Sequence, residues 1–275
     1  MKKGISIWCF PGGLPLREIM QQAKQAGFEG IELDLREEGE MSPDWSAAQV
    51  KDLRLYAHDL GLEIASFAMG IGWKYPLVTR DAALAHKAKE LLATSLRFAQ
   101  LLETDVVLSV PGTVTPDMPY DEAYERGVAV YRECAATAED HGVIIGPEIV
   151  WNKFLYSPLE FARFIDDIGH PYVQAYFDVG NVLLFGYPDQ WIRILGKRIC
   201  KVHIKDFQRG PTFTGPLNFT TLLNGDVDYP AVTAALGQIG YDGYLIAEVG
   251  PISPAFPRYL IEETSRAMDK ILGRR

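Results

Sequence analysis

The chain has 275 residues, 48% of them apolar and 23% charged, and its 36 acidic and 27 basic side chains leave a net charge of −9. This usage excludes an intrinsically disordered chain, and surplus negative charge repels a phosphate backbone, which argues against a nucleic-acid partner. No stretch reaches the ~18–20 apolar residues that span a bilayer, so no membrane partner is expected either.

The N-terminus, Met1-Lys2-Lys3-Gly4-Ile5, is soon broken by Pro11-Gly12-Gly13 and makes a poor signal peptide. From there, short β-branched runs alternate with longer stretches of helical period. Strands are predicted over residues 4–10, 30–35, 62–68, 105–110, 143–149, 173–178, 199–204 and 243–249. Helices are predicted over 16–26, 46–60, 80–102, 120–140, 157–168, 189–195, 229–239 and 257–272. Ser157-Pro158 reads as an N-cap followed by proline at the first helical position. Gly27, Gly61, Gly142 and Gly240 each stand shortly before a strand, where a helix ends in the left-handed conformation that glycine takes at little cost. Residues 207–227 read as an extended loop after the seventh strand.

Strict alternation of eight strands and eight helices implies parallel pairing with right-handed crossovers. An open doubly wound sheet would call for a nucleotide fingerprint, and neither Gly-x-Gly-x-x-Gly nor a P-loop occurs. Barrels of this type take ~250 residues. The expectation is therefore an α/β fold, a single-domain (β/α)8 TIM barrel over residues 1–275. Cys9, Cys134 and Cys200 are odd in number and far apart. They read as buried thiols of a cytoplasmic protein rather than a disulfide framework.

Buried parallel strands should be nearly all apolar. Yet the fifth to eighth strands each run into one ionisable residue, namely Glu148, Asp178, His203 and Glu248, at gaps of 30, 25 and 45 residues. One βα unit spans about 30 residues, and barrels place active sites at the C-terminal ends of their strands, so these four would share one mouth. Where three carboxylates and an imidazole converge, the like-charged carboxylates repel one another and are costly to desolvate unless a cation joins them. One divalent metal ion fits, with Mn²⁺ first and Co²⁺, Mg²⁺ or Zn²⁺ as alternatives. The plainer reading makes each a separate core charge, paired with lysines such as Lys201 or Lys205. Pro147 is awkward in a central strand because it removes a ladder hydrogen bond.

Glu32 and Asp34 share a parity on the second strand, and a buried Glu32 would pair with Lys201. His58, His86 and His141 fall on outward-facing helices, and His170 lies at the opposite end. Trp8, Trp73, Trp151 and Phe207 stand at or beyond strand ends, where they wall a pocket or simply pack.

In these contexts the sequence resembles the xylose isomerase-like TIM-barrel superfamily along essentially the whole chain. The likeness is carried by Glu148-Ile149, Asp178-Val179-Gly180-Asn181, His203-Ile204-Lys205-Asp206 and Gly225-Asp226-Val227-Asp228-Tyr229 leading into Gly240-Tyr241-Asp242-Gly243. Within it the chain is similar to the 3-epimerases of ketoses and ketose phosphates, such as D-tagatose 3-epimerase and L-ribulose-5-phosphate 3-epimerase. The resemblance implies that Glu148, Asp178, His203 and Glu248 are the metal ligands. It also implies that Arg209, six residues after His203, binds substrate. Phe154 stands where free-ketose epimerases carry a second Glu, and Asn181 where they carry a His. The Asp-Val-Gly-Asn form is similar to the pentulose-phosphate branch.

Chemically, removing a proton beside a ketone leaves an enediolate that a metal would stabilise. Epimerisation needs proton removal on one face and return on the other, for which Glu148 and Glu248 are the candidate catalytic pair. Lys205, Arg209, Asn181 and Trp8 are the candidate substrate-binding residues, with Lys74 a further candidate cation. The expected partner is a small-molecule sugar or sugar phosphate, and the family expectation is a homodimer or homotetramer. Alternatives are an aldose–ketose isomerase on the same site, or a non-catalytic sugar- or metal-binding barrel. A repair nuclease of the same superfamily would need several metals and many histidines.

Overall fold

The computed structural model describes residues 1–209, 218–250 and 255–274. In chain order the strands are β1 (Lys2–Ser6), β2 (Gly30–Asp34), β3 (Glu63–Ala68), β4 (Val106–Ser109), β5 (Ile144–Pro147), β6 (Ala175–Asp178), β7 (Ile199–Ile204), β8 (Asp206–Gln208), β9 (Asn218–Thr220) and β10 (Tyr244–Ala247). The helices are α1 (Leu16–Gln25), α2 (Ala47–Asp59), α3 (Ala82–Leu102), α4 (Tyr120–His141), α5 (Pro158–Ile168), α6 (Val179–Val182), α7 (Pro188–Leu195), α8 (Tyr229–Ile239) and α9 (Pro257–Ile271). None of the helices among the described residues is long and apolar enough to cross a membrane.

Eight strands pair in parallel in the order β5-β4-β3-β2-β1-β10-β7-β6. The sheet closes on itself between β5 and β6 through single bridges, Ile145 to Val173 and Glu148 to Tyr176. This is the expected (β/α)8 barrel. Pro147 explains why the closing seam is thin. Ile144 and Glu148 donate their N–H groups to β4, on Asp105 and Ser109, whereas Ile145 donates across to Tyr172. By that alternation residue 147 would donate toward β6, and proline has no N–H to give.

Two cores result. Inside the barrel, Ala65, Val106, Leu108, Tyr176, Tyr244 and Ile246 form one cluster. Between barrel and helices, a larger apolar layer includes Leu33, Phe67, Phe98, Ile145, Phe161 and Trp191. The helix stops behave as read: Gly27, Gly61, Gly142 and Gly240 all take positive φ, from 65° to 91°.

The differences from expectation are local, and most of them shape the mouth. The first strand stops at Ser6, and a 3₁₀ turn over Ile7–Cys9 follows, with the Ser6 hydroxyl accepting the Trp8 N–H at 3.4 Å. This turn swings Trp8 out over the strand ends. Ser157 stands before α5, but its side chain makes no capping bond. The predicted loop over 207–227 holds a short antiparallel hairpin, β8 with β9, while residues 210–217 of it lie outside the described residues. After β6, the four-residue helix α6 starts on Asp178, whose Oδ1 accepts the Asn181 N–H at 2.7 Å.

Candidate metal centre

The register of the barrel sets its four polar side chains at one height. His203 on β7 is opposite Asp178 on β6 and Ile246 on β10, and Glu148 and Glu248 follow β5 and β10 directly. One ligand atom from each of Glu148, Asp178, His203 and Glu248 lies within 4.8 Å of all the others. Around His203 Nδ1, Glu148 Oε1 is at 3.1 Å, Glu248 Oε2 at 3.2 Å and Asp178 Oδ2 at 3.9 Å.

These residues fit a divalent ion on three counts. Asp178 Oδ2 is buried and accepts no well-formed hydrogen bond, its near neighbour being the Lys205 ammonium, so it keeps a lone pair turned to the other ligand atoms. On the Nδ1 side of the ring, three carboxylates face one cation, Lys205, whose Nζ is 3.1 Å from Asp178 and 2.8 Å from Glu248. With a neutral imidazole, two negative charges are left over, which is the charge of one such ion. Finally, the far side of the imidazole is held as a metal-ligating histidine requires. His203 Nε2 lies 2.9 Å from Glu32 Oε1, so this nitrogen donates and Nδ1 is the one turned to the carboxylates.

Glu32 is the residue that sequence reasoning misplaced. Its partner is His203, together with the Tyr176 hydroxyl at 2.6 Å and the Ser66 hydroxyl at 2.7 Å. Lys201 meets Asp105 at 2.8 Å instead. Lys201 lies two residues before His203 on β7, one layer lower in the barrel, and so reaches the opposite rim. The available signal was the inward parity of Glu32 within an apolar strand.

The electrostatics follow from burial and crowding. Burial is the largest influence on Glu148, and with the charges of Asp178 and Glu248 it pushes the carboxyl up to about 7, against the pull of His203. Burial also raises Asp178 despite Lys205. For Glu248, burial acts upward but Lys205 and His203 outweigh it, holding the carboxyl well below the usual range. Burial would lower His203, yet the Glu32 charge and hydrogen bonds with Glu148 and Glu248 raise it well above its ordinary value. Burial likewise opposes, without overcoming, the carboxylates that raise Lys205.

Glu148 and Glu248 of the cluster reach into a chamber of about 270 Å³ walled by Trp8, Trp73, Trp151, Asn181, Lys205 and Phe219, and Asp178 and His203 lie buried beside them. Asp34 accepts the Trp8 indole N–H at 3.0 Å and so fixes that wall. Trp151 stacks on Phe219 at 4.9 Å and donates to the Asn181 carbonyl at 3.1 Å. Three of the four aromatic residues singled out in the sequence thus wall the chamber, while Phe207 is fully buried beneath Trp151 and Phe219. Gly180 lets Lys205 in, since a Cβ there would lie 2.3 Å from Lys205 Cγ. Cys9 was not anticipated here. Its buried thiol donates to the Ala247 carbonyl at 3.3 Å and accepts the Val249 N–H at 3.2 Å, gripping both peptide groups that flank Glu248. Burial pushes this thiol up to about 12, so it stays protonated.

Two expected cations lie elsewhere. Arg209 is exposed, with its guanidinium over the Tyr187 ring and 4.0 Å from Asp226. Lys74 is exposed and bound to Glu37. His58 and His86 are exposed, and His170 pairs with Glu139.

The xylose isomerase-like TIM barrel family profile matches residues 20–271. L-ribulose-5-phosphate 3-epimerase UlaE of Shigella flexneri serotype 5b is 27% identical over 254 residues, covering 88% of this chain and 85% of that protein. D-psicose 3-epimerase from Clostridium cellulolyticum H10, solved with D-tagatose, superposes with a TM-score of 0.84 at 19% identity over 99% of each chain. The IOLI protein, solved with a bound zinc atom, does so at 0.82 and 17% identity, over 99% of this chain and 98% of that one. With a barrel that closes as described and a family match from α1 to α9, the chain belongs to the xylose isomerase-like TIM barrel family.

Proposed function

We propose that the protein is a metal-dependent 3-epimerase of a ketose or ketose phosphate. The observation that carries this reading is the convergence of Glu148, Asp178, His203 and Glu248, two of which, Glu148 and Glu248, line an aromatic-walled chamber. The names of its relatives, sugar and sugar-phosphate 3-epimerases, support it. A divalent ion held by the four would act as a Lewis acid toward a ketone oxygen. Mn²⁺ is our first choice because oxygen donors dominate the set. The zinc in the IOLI protein makes Zn²⁺ the alternative.

The chain's own groups supply the rest. Glu148 and Glu248 approach from β5 and β10, on either side of His203, so one carboxylate takes the proton from the carbon beside the ketone and the other returns one to the opposite face. Lys205 balances Asp178 and Glu248 and offers hydrogen bonds to substrate oxygens. Trp8, Trp73 and Trp151 line the space above Glu148 and Glu248 with apolar surface, which strengthens charge interactions beside them. The free thiols Cys9, Cys134 and Cys200 support a reducing, cytoplasmic setting.

The test is exchange of the C3 proton for solvent deuterium across a panel of ketoses, assayed with Mn²⁺. Incorporation at C3 is expected. Incorporation only at C1 or C2 would convert the reading to aldose–ketose isomerisation, and none at all, with sugar bound, would reduce the protein to a binding barrel.

A further inference from the structure

A second cavity of about 360 Å³ opens beside the chamber and shares Trp73 and Val110 with it. Its walls are residues 72–81, after β3, and residues 110–118, after β4. The second wall is held in place by packing and hydrogen bonds. Gly112 takes φ 116°, and a Cβ there would lie 2.6 Å from the Val78 side chain, so glycine lets the loop lie flat on Val78. The side-chain amide of buried Asn152 donates to the Gly112 carbonyl at 2.6 Å, and the Asn152 backbone carbonyl accepts the Val114 N–H at 3.1 Å. Asn152 follows Trp151, a wall of the chamber, so the two cavities are built from one set of braced loops.

The chemistry of the second cavity is distinct. Trp73 is 59% exposed and presents an indole at the junction. Thr113, Thr115 and Asp117 offer hydroxyl and carboxylate oxygens, and among the described residues their side chains make no hydrogen bond. Arg80 is committed to Glu122 through its guanidinium, and Asp81 caps α3. Carboxylates therefore outnumber free cations, which repels an anionic group. In the chamber itself the Lys205 charge is matched by Asp178 and Glu248, which leaves its remaining N–H for a neutral hydroxyl rather than for a full negative charge. An aromatic face with hydroxyl and carboxylate acceptors suits a neutral, hydroxyl-rich ring that has an apolar C–H face.

We infer that this second cavity is a subsite for a second sugar unit, so that the preferred substrate is a glycosylated ketose rather than a ketose phosphate. The ketose end would lie over the metal centre and the neutral glycosyl end against Trp73, Thr115 and Asp117. The inference rests on the epimerase reading for the identity of the reacting end.

The experiment compares D-fructose, D-fructose 6-phosphate, isomaltulose and lactulose, the last two being fructose glycosylated at O6 and O4. Deuterium uptake is followed by mass in the Mn²⁺-loaded protein, and intrinsic tryptophan fluorescence is titrated in the metal-free protein. At least one disaccharide is expected to show a kcat/KM tenfold or more above that of fructose 6-phosphate and no lower than that of fructose. It should also produce a saturable fluorescence change that weakens tenfold or more in Asp117→Ala and in Thr115→Val. The ratio of disaccharide to fructose kcat/KM should fall tenfold in the same variants. A phosphate preferred over both disaccharides overturns the inference and leaves the epimerase reading standing. So does a disaccharide whose binding and ratio are unmoved by both substitutions. Absence of exchange with all four sugars, when disaccharide binding is saturable, overturns the epimerase reading and leaves a neutral-glycoside subsite. Absence of both overturns the two together.

Discussion

The two rims of the barrel carry the same residue types arranged in opposite ways. At the rim where the strands begin, charges pair one for one: Lys3 with Asp269 at 2.7 Å, Lys201 with Asp105 at 2.8 Å and Lys2 with Glu63 at 2.8 Å. At the rim where they end, Glu148, Asp178 and Glu248 crowd around one imidazole with Lys205 as their lysine partner. Pairing leaves no net charge to be compensated, whereas crowding of like charges raises the free energy of the fold and is the pattern that functional sites share. Surplus charge, rather than charge as such, separates the site from the scaffold.

That contrast breaks most sharply at Glu248. Glu248→Gln keeps the shape but loses a proton-transfer group, and a fall in kcat of about 10²–10⁴-fold is expected with an unaltered far-UV circular dichroism spectrum. Full deuterium exchange in this variant would remove Glu248 from the reaction. Chelation is next. Stripping divalent ions should abolish exchange and lower the melting temperature, because at one hundred times Kd an ion stabilises by about 2.7 kcal/mol. Calorimetry should show binding that weakens as pH falls through about 7. His203, raised by its surroundings, and Glu148, pushed up to about 7, must both shed protons before they ligate.

Glu32→Gln sharpens the comparison from beneath. The substitution removes the charge behind His203 Nε2 and should cost about 10–100-fold in metal affinity while the fold survives; an unchanged affinity in equilibrium dialysis would make Glu32 an ordinary core charge. The smallest effects belong to the paired rim. Lys3→Met should destabilise by about 1–3 kcal/mol in urea unfolding. Lys201→Met should cost about 1 kcal/mol or less, since Asp105 is 69% exposed, and neither should change kcat/KM. A large kinetic effect from either lysine would blur the distinction between the rims.

Much of this arrangement is legible in the sequence because barrel strands are so uniformly apolar. Val143 to Pro147 makes Glu148 conspicuous, and Tyr244 to Ala247 does the same for Glu248. Helix stops at Gly142 and Gly240 mark where those strands begin. What escapes a linear reading is which strand stands beside which, and at what height. Glu32 meets His203 across 171 positions, and Cys9 grips the peptides around Glu248 across 238 and 240. The turn that swings Trp8 over the mouth and the β8–β9 hairpin are short enough that neither carries a usable period. The second cavity lies between two loops whose approach is decided by Gly112 against Val78, a contact that composition does not announce.

Pro147 leaves its mark on how the cylinder yields. A stave laced on one flank and only tacked on the other has the fewest bonds to break at that seam, so parting β5 from β6 costs less than parting any other neighbouring pair of the hoop. Glu148 rides at the tip of that stave. One jaw of the centre is therefore mounted on the thinly bonded seam, while Glu248, with the Cys9 thiol gripping the peptides on either side, sits on a densely bonded one.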